Sequence, residues 1–141
     1  MKKTIAAVIL AVSTLFATGC GSEEHIGYVN QQKIMSEAPQ MIAIVEEGSK
    51  KLDEADAEMK SALDANPDMS DEDRNKIRAE HERKTIGIGT AYNTQIQQKL
   101  DSALVDICKE KNVSIVLDNS VEKVLVSGGI DLTNDVINKL K

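Results

Sequence analysis

The residues of this chain that could do chemistry are few and scattered. The chain contains only two cysteines and two histidines. Cys108 has no histidine or second cysteine nearby in the sequence, which favours a small buried apolar residue over a redox-active thiol. His81 is flanked by Glu80 and Glu82, but adjacent residues on a helix do not share a face, which argues against a metal site. The acidic run 68–73 lacks the spacing of a calcium-binding loop and is more typical of a helix start.

No Ser/His/Asp, Cys/His, phosphate-loop or paired-carboxylate arrangement stands out in the sequence. We therefore expect a protein that is not an enzyme and that uses no cofactor or metal ion. Aromatic residues make up only 2% of the chain, which is little for a small-molecule pocket or a base-stacking platform. The formal net charge of −6 argues against nucleic acid, whose phosphates require a basic face.

Residues 1–19 have the pattern of an export signal. Lys2 and Lys3 precede an apolar stretch of about 14 residues, which is too short for a permanent membrane span. Small residues then lead to Cys20, an arrangement that looks like a bacterial lipobox and predicts lipidation of Cys20. The alternative is an ordinary secretory signal cut near Ala17. Without residues 1–19 the chain keeps 15 basic and 23 acidic residues, a net charge of −8.

The remainder of the chain is organised as a tether and one domain. Residues 20–25 are the tether, and the domain covers 26–141. Alternating residues predict a strand at 26–30, a helical periodicity predicts a two-helix hairpin arm over 31–111, and 112–141 returns to strands before a terminal helix. The predicted class is α+β, mainly helical.

A heptad pattern of apolar and small residues occupies the first half of the arm. Spacings of four and three alternate for almost thirty residues, as in a coiled-coil seam. Pro39 either starts the main helix or kinks a continuous one. The seam consists of Ile34, Ala38, Met41, Val45, Gly48, Leu52, Ala55, Met59 and Ala62.

The second half of the arm follows a break at 66–68. Ser70 is the predicted N-cap of a helix that ends near Lys111, with Lys109 suited to its last turn. Its apolar stripe is poor in the first half and good in the second. The stripe consists of Ile77, His81, Thr85, Ile88, Tyr92, Ile96, Leu100, Ala103 and Ile107.

Two helices joined by so short a turn are expected to lie antiparallel. If the turn centres near Asp68, residues whose numbers sum to about 136 lie at one level. Gly48 would then meet Gly87 and Gly89. One explanation is a close approach of the helices, with Tyr92 filling the space nearby. The other, which we favour, is a hinge in the arm at these three glycines.

The last part of the domain is predicted to be a small sheet and a helix. Its strands are Val113–Asp118 and Val121–Ser127, joined by a turn at 119–120. Thr133 is the predicted N-cap of the helix Asn134–Leu140. So small a sheet has open edges and little core, which favours an oligomer whose sheets combine.

Two stretches follow the pattern of a known family. IGYVNQQKIMSEAPQ, residues 26–40, is a strand, a short helical turn, and a small residue before Pro39. VSIVLDNSVEKVLVSGGIDLTNDVINKL, residues 113–140, has two strands and then a short helix. Between the second strand and that helix stand Gly129, Asp131, Leu132 and Thr133. In both stretches the chain resembles the Skp/OmpH family of periplasmic chaperones.

The resemblance implies a jellyfish-like trimer, in which a β-body joins the subunits and three hairpin arms enclose a cavity. It implies an ATP-independent holdase that binds unfolded outer-membrane proteins in the periplasm. The lipid on Cys20 would tie it to the envelope, with the outer membrane as the expected site. The best-known family members are strongly basic, whereas residues 36–111 here carry 17 acidic and 11 basic residues. An alternative is therefore a structural or adaptor lipoprotein on the same fold that binds one folded partner.

Overall fold

The computed structural model describes residues 25–120 and 128–141. Of these residues 74% are helical, and three short strands form one sheet, so the predicted α+β, mainly helical class is confirmed. The export signal with Cys20 and the predicted strand Val121–Ser127 lie outside the described residues. In chain order the elements are β1 (His25–Val29), α1 (Gln31–Glu37), α2 (Pro39–Asp64), α3 (Asp71–Lys111), β2 (Val113–Asp118), β3 (Ile130–Asp131) and α4 (Thr133–Lys139).

The sheet is parallel, with the strand order β2-β1-β3. The predicted strands at 26–30 and Val113–Asp118 are confirmed, the first with a shift of one residue. The alternation in the sequence does not predict β3, because two residues are too few to show a period. Gly129, at φ 89°, lies so close to β1 that an added Cβ would be 2.8 Å from the carbonyl oxygen of Ile26. A larger residue there would displace β3 from the sheet.

The starts of α1 and α2 follow from local side-chain chemistry. The side chain of Asn30 caps α1 by accepting a hydrogen bond from the backbone N–H of Lys33 at 2.8 Å. Ala38 is extended, at φ −78° and ψ 118°, as expected of a residue before proline. Pro39 occupies the first turn of α2, where its missing N–H costs nothing. Of the two roles predicted for Pro39, the structure therefore shows the helix start.

Both ends of α3 fall where the sequence predicts them. The Ser70 hydroxyl accepts a hydrogen bond from the backbone N–H of Asp73 at 3.2 Å, which confirms Ser70 as the N-cap. Hydrogen bonds from Ser70 and Lys76 hold the pKa of Asp73 below its usual value. At the other end Asn112 adopts the left-handed conformation at φ 54° and stops the helix after Lys111.

The predicted cap of the terminal helix is wrong. Thr133 is the first residue of α4, and the N-cap position belongs to Leu132, which makes no side-chain cap. The carboxylate of Asp131 accepts the hydrogen bond of the Thr133 backbone N–H at 2.9 Å. The Thr133 hydroxyl is buried and accepts a hydrogen bond from the N–H of Asn30, 103 residues away in the sequence. A tertiary contact thus takes the side chain that local capping would have used.

The core lies where the helices adjoin the sheet. Its most deeply buried large side chains are Ile34, Met41, Ile107, Leu132 and Val136. They come from α1, the start of α2, the end of α3, the segment before α4, and α4 itself. An added Cβ at position 27 would lie 2.6 Å from Cδ1 of Leu132, so a glycine there allows this leucine to pack directly on β1.

One position of the predicted seam is wrong. Val45 is 46% exposed, whereas Ile44 is 6% exposed and belongs to the core. Ile44 is three residues after Met41 and four before Gly48, so it shares their face of the helix. A strict seven-residue repeat drifts from the 3.6-residue period of a straight helix. At this point of α2 the residue that fits the straight-helix period, Ile44, is the buried one. The apolar stripe of α3 is poor in its first half and good in its second, as predicted. Its residues between 77 and 96 are at most half-buried, whereas Leu100, Ala103 and Ile107 are buried.

Candidate functional site

Where β1 pairs with β2, one face of the sheet is apolar and exposed. Ile26 pairs in register with Ile115, and Tyr28 with Leu117, so these four residues stand on the same face. Ile26, Ile115 and Leu117 are 45%, 50% and 41% exposed. The opposite face carries Gly27 and the buried Val29 and meets the core. A continuous apolar face of this kind on a small sheet is typical of a surface for another protein.

The long helices α2 and α3 pack against each other in opposite directions. Gln40 of α2 accepts a hydrogen bond from Lys99 of α3 at 3.1 Å. Further along, the Asp56 carboxylate is 2.6 Å from Nε2 of His81, and Glu58 pairs with Lys84. These pairs are on the surface, where each contributes little to stability. The far half of the helix pair is therefore held more weakly than the half in the core.

The level of the three glycines differs from the prediction. Gly48 lies against Tyr92, because an added Cβ would be 3.0 Å from Cγ of that ring. An added Cβ at Gly87 or Gly89 would meet nothing within 4 Å beyond the adjacent residues and the backbone of its own helix. Gly48 of α2 therefore lies opposite Tyr92 of α3 and not opposite Gly87 and Gly89, a difference of about one helical turn. Close approach of the helices explains Gly48, and the hinge stays a prediction for all three glycines.

Tyr92 fills the space that Gly48 leaves. Partial burial of the ring and the neighbouring Glu47 carboxylate both raise the pKa of Tyr92. Lys51 forms an ion pair with Glu54 at 2.8 Å on the same side of α2. At this level the two helices thus have an aromatic contact surrounded by charged groups.

Polar side chains converge where the parallel strands end. The Asp118 carboxylate accepts hydrogen bonds from the hydroxyl and N–H of Ser120, at 2.7 and 2.9 Å, and from the N–H of Gln31, at 3.4 Å. Burial would raise the pKa of Asp118, but these hydrogen bonds outweigh it and lower the pKa. The N–H of Asn119 donates to the carbonyl of Val29. These contacts join the end of β2 to the start of α1.

Cys108 and His81 lie 27 residues apart on α3, which is about 40 Å at about 1.5 Å per residue. Cys108 is a free thiol that packs against the core but is only partly buried, less than the sequence predicts. His81 belongs to the stripe predicted for α3, and its side chain is 20% exposed and contacts Asp56 of α2. Within residues 25–120 and 128–141, no three histidine, cysteine or carboxylate side chains group together as metal ligands.

No protein-family model matches this chain, and no curated protein matches it either. None of the helices in the described part of the chain is long and apolar enough to cross a membrane.

The sequence does not single out the exposed sheet face. In residues 113–118 every odd position is apolar and only Val116 is apolar among the even ones, so alternation favours burial of the odd face and does not reveal that Ile115 and Leu117 are exposed. The pairing of β2 with β1 assigns Ile115 and Leu117 to the outer face. The available signal was the alternation of Ile26 and Tyr28 with the small Gly27, which favours one close-packed face.

Proposed function

We propose that this protein is an ATP-independent holdase chaperone for unfolded outer-membrane proteins, anchored in the cell envelope by a lipid on Cys20. The observation that carries the proposal is a long, weakly held pair of helices attached to a small body, in which β1 and β2 present an exposed apolar face among the described residues. A holdase needs extended surface that can adapt to unfolded chains without chemistry. Its effect is to lower the concentration of free unfolded protein by binding it.

The proposal includes a trimer of jellyfish shape, in line with the resemblance to Skp/OmpH proteins. The exposed sheet face of Ile26, Tyr28, Ile115 and Leu117 would join the subunits, since association removes this apolar surface from water. Each α2–α3 pair would then form a hairpin arm. At about 1.5 Å per residue, the 41 residues of α3 span about 60 Å. Three such arms could surround a client.

The test uses the mature chain with Cys20→Ser, which removes the lipid. An unfolded outer-membrane β-barrel protein is diluted from urea, and light scattering is followed with and without the variant. Suppression of scattering near one trimer per client supports the holdase. A folded protein that leaves the scattering unchanged contradicts it.

The second candidate function is a structural or adaptor lipoprotein on the same fold. The acidic surplus of residues 36–111, 17 acidic against 11 basic side chains, favours it, because acidic arms attract acidic clients poorly. Such a protein would bind one folded envelope partner in a saturable way and would leave client aggregation unchanged. A pull-down from solubilised envelopes, combined with the scattering assay, separates the two functions.

A further inference from the structure

The charge distribution along α3 is strongly uneven. Ten of the 14 residues in 71–84 are charged, whereas none of the 14 residues in 85–98 is. Lys84 and Lys99 bound the second stretch, which is about 21 Å long at 1.5 Å per residue. We call residues 85–98 the neutral band. It interrupts a helix that is otherwise highly charged.

The neutral band is open on the side away from α2. Ile86 is 62% exposed, the highest exposure among the exposed large apolar side chains of the described residues. Gly87 and Gly89 have open space where a side chain would stand. The remaining exposed positions carry small or uncharged polar groups: Thr90, Ala91, Asn93, Thr94, Gln95, Gln97 and Gln98. The band therefore combines apolar area, free volume and hydrogen-bonding groups without charge.

We propose that the neutral band is the client-contact surface of the arm and that it binds extended, uncharged segments with alternating apolar residues. This inference rests on the proposed function and specifies its substrate class. A charged side chain pressed against the band would lose water and meet no opposite charge within the band, which disfavours charged segments. An uncharged segment loses nothing comparable and buries apolar area against Ile86.

The hydrogen-bonding groups of the band favour an unfolded occupant over a second helix. A helix has already paired its interior backbone groups, so it would bury the exposed amides of 93–98 without satisfying them. An extended chain carries unpaired N–H and C=O groups, which these amides can bind. The segments of an unfolded β-barrel protein that later form its strands fit this description. Their backbone N–H and C=O groups are unpaired, and every second side chain is apolar.

The experiment places a charge of either sign in the band. Thr90 is exposed, and both glutamate and lysine form helix better than threonine, so Thr90→Glu and Thr90→Lys should keep α3 intact. Ala79→Glu and Ala79→Lys are the matched controls, because Ala79 is exposed on the same helix among charged residues. All four changes are made in the Cys20→Ser chain, and binding of an unfolded β-barrel protein is measured by fluorescence. Circular dichroism verifies the helix content.

We expect both Thr90 variants to bind the client about tenfold more weakly, whatever the sign of the new charge, while the Ala79 variants stay within about twofold. We also expect the affinity of the parent to change little between about 0.05 and about 0.5 M salt, because screening acts on charges.

Opposite effects of glutamate and lysine at position 90 would mean that charge steers binding, and the inference would be wrong. Equal effects at positions 79 and 90, or none at either, would overturn it as well. A change of oligomeric state in the Thr90 variants without client would assign the band to contacts between copies. In each of these cases a parent that still suppresses aggregation leaves the proposed holdase standing. A parent that binds no client overturns both.

Discussion

Single residues decide how closely α2 and α3 approach each other. Gly48 admits the ring of Tyr92, and the two helices meet there through a contact that no larger residue would permit without movement. Gly87 and Gly89 have no such packing reason. Two glycines inside a helix each cost about 1 kcal/mol relative to alanine. A cost without a packing benefit is consistent with the predicted hinge.

Gly87→Ala is expected to stabilise the protein by about 0.5–1 kcal/mol, because the added methyl group enters open space and alanine favours helix. Gly48→Val is expected to destabilise it by about 1–3 kcal/mol, since the branched side chain would press on Tyr92. Urea unfolding followed by circular dichroism measures both. If Gly87→Ala were as destabilising as Gly48→Val, the result would contradict the open space that the structure shows around Gly87.

At the same scale Asp118 makes stability depend on pH. Its pKa is lowered in the folded protein, so the ionised form is favoured by folding. The contribution is complete above the pKa of the unfolded chain, about 3.9, and is lost as the pH falls through the lowered folded value. Asp118→Asn should cost about 1–2 kcal/mol at pH 7 and reduce the loss of stability between about pH 4 and pH 2. Unfolding curves recorded across this range, with Asp64→Asn at the exposed end of α2 as the control, test it.

The elements differ in how strongly they are held. The part of α3 from Leu100 onward is fixed by the core, whereas its first turns depend on the Ser70 cap and on surface ion pairs such as Lys76 with Glu72. Local stability is expected to fall from the core toward the turn at 65–70, because fewer buried contacts oppose fraying there. An arm that opens at its far end suits the proposed binding of unfolded clients.

Ser70→Ala is expected to raise hydrogen exchange in the first turns of α3 and to lower the local stability by about 1 kcal/mol. The Asp73 N–H loses its acceptor in this variant. Amides near Ile107 should exchange as before, because the core holds that end of the helix. Exchange that rises equally at both ends would mean that α3 opens as one unit.

At the scale of the whole molecule, the described part of a monomer leaves the apolar sheet face of Ile26, Tyr28, Ile115 and Leu117 in contact with water. The three strands are short, and the outer face that β1 and β2 form is apolar and is left exposed by the described elements. Association is the physical remedy for such a body. The proposed trimer would place three weakly held arms around one centre.

Ile115→Lys is expected to shift the proposed trimer toward monomer, because a charge on the apolar face cannot be buried without a partner. Ser114→Lys is the control, since Ser114 is exposed in the irregularity of β2 between Val113 and Ile115 and pairs with no residue of β1. Sedimentation at several protein concentrations measures the change. A parent chain that sediments as a monomer at every concentration contradicts the proposed assembly.

The sequence by itself determined the local features of this protein. The Ser70 cap, the start of α2 at Pro39, the end of α3 and the strand Val113–Asp118 each depend on neighbouring residues, and each is found as predicted. Only the tertiary structure decided the rest. Thr133 binds Asn30 instead of capping α4, Ile44 replaces Val45 in the core, and Gly48 meets Tyr92 instead of Gly87 and Gly89. Helix register and strand pairing depend on contacts between residues far apart in the sequence, and no local pattern records which of several similar apolar side chains will meet.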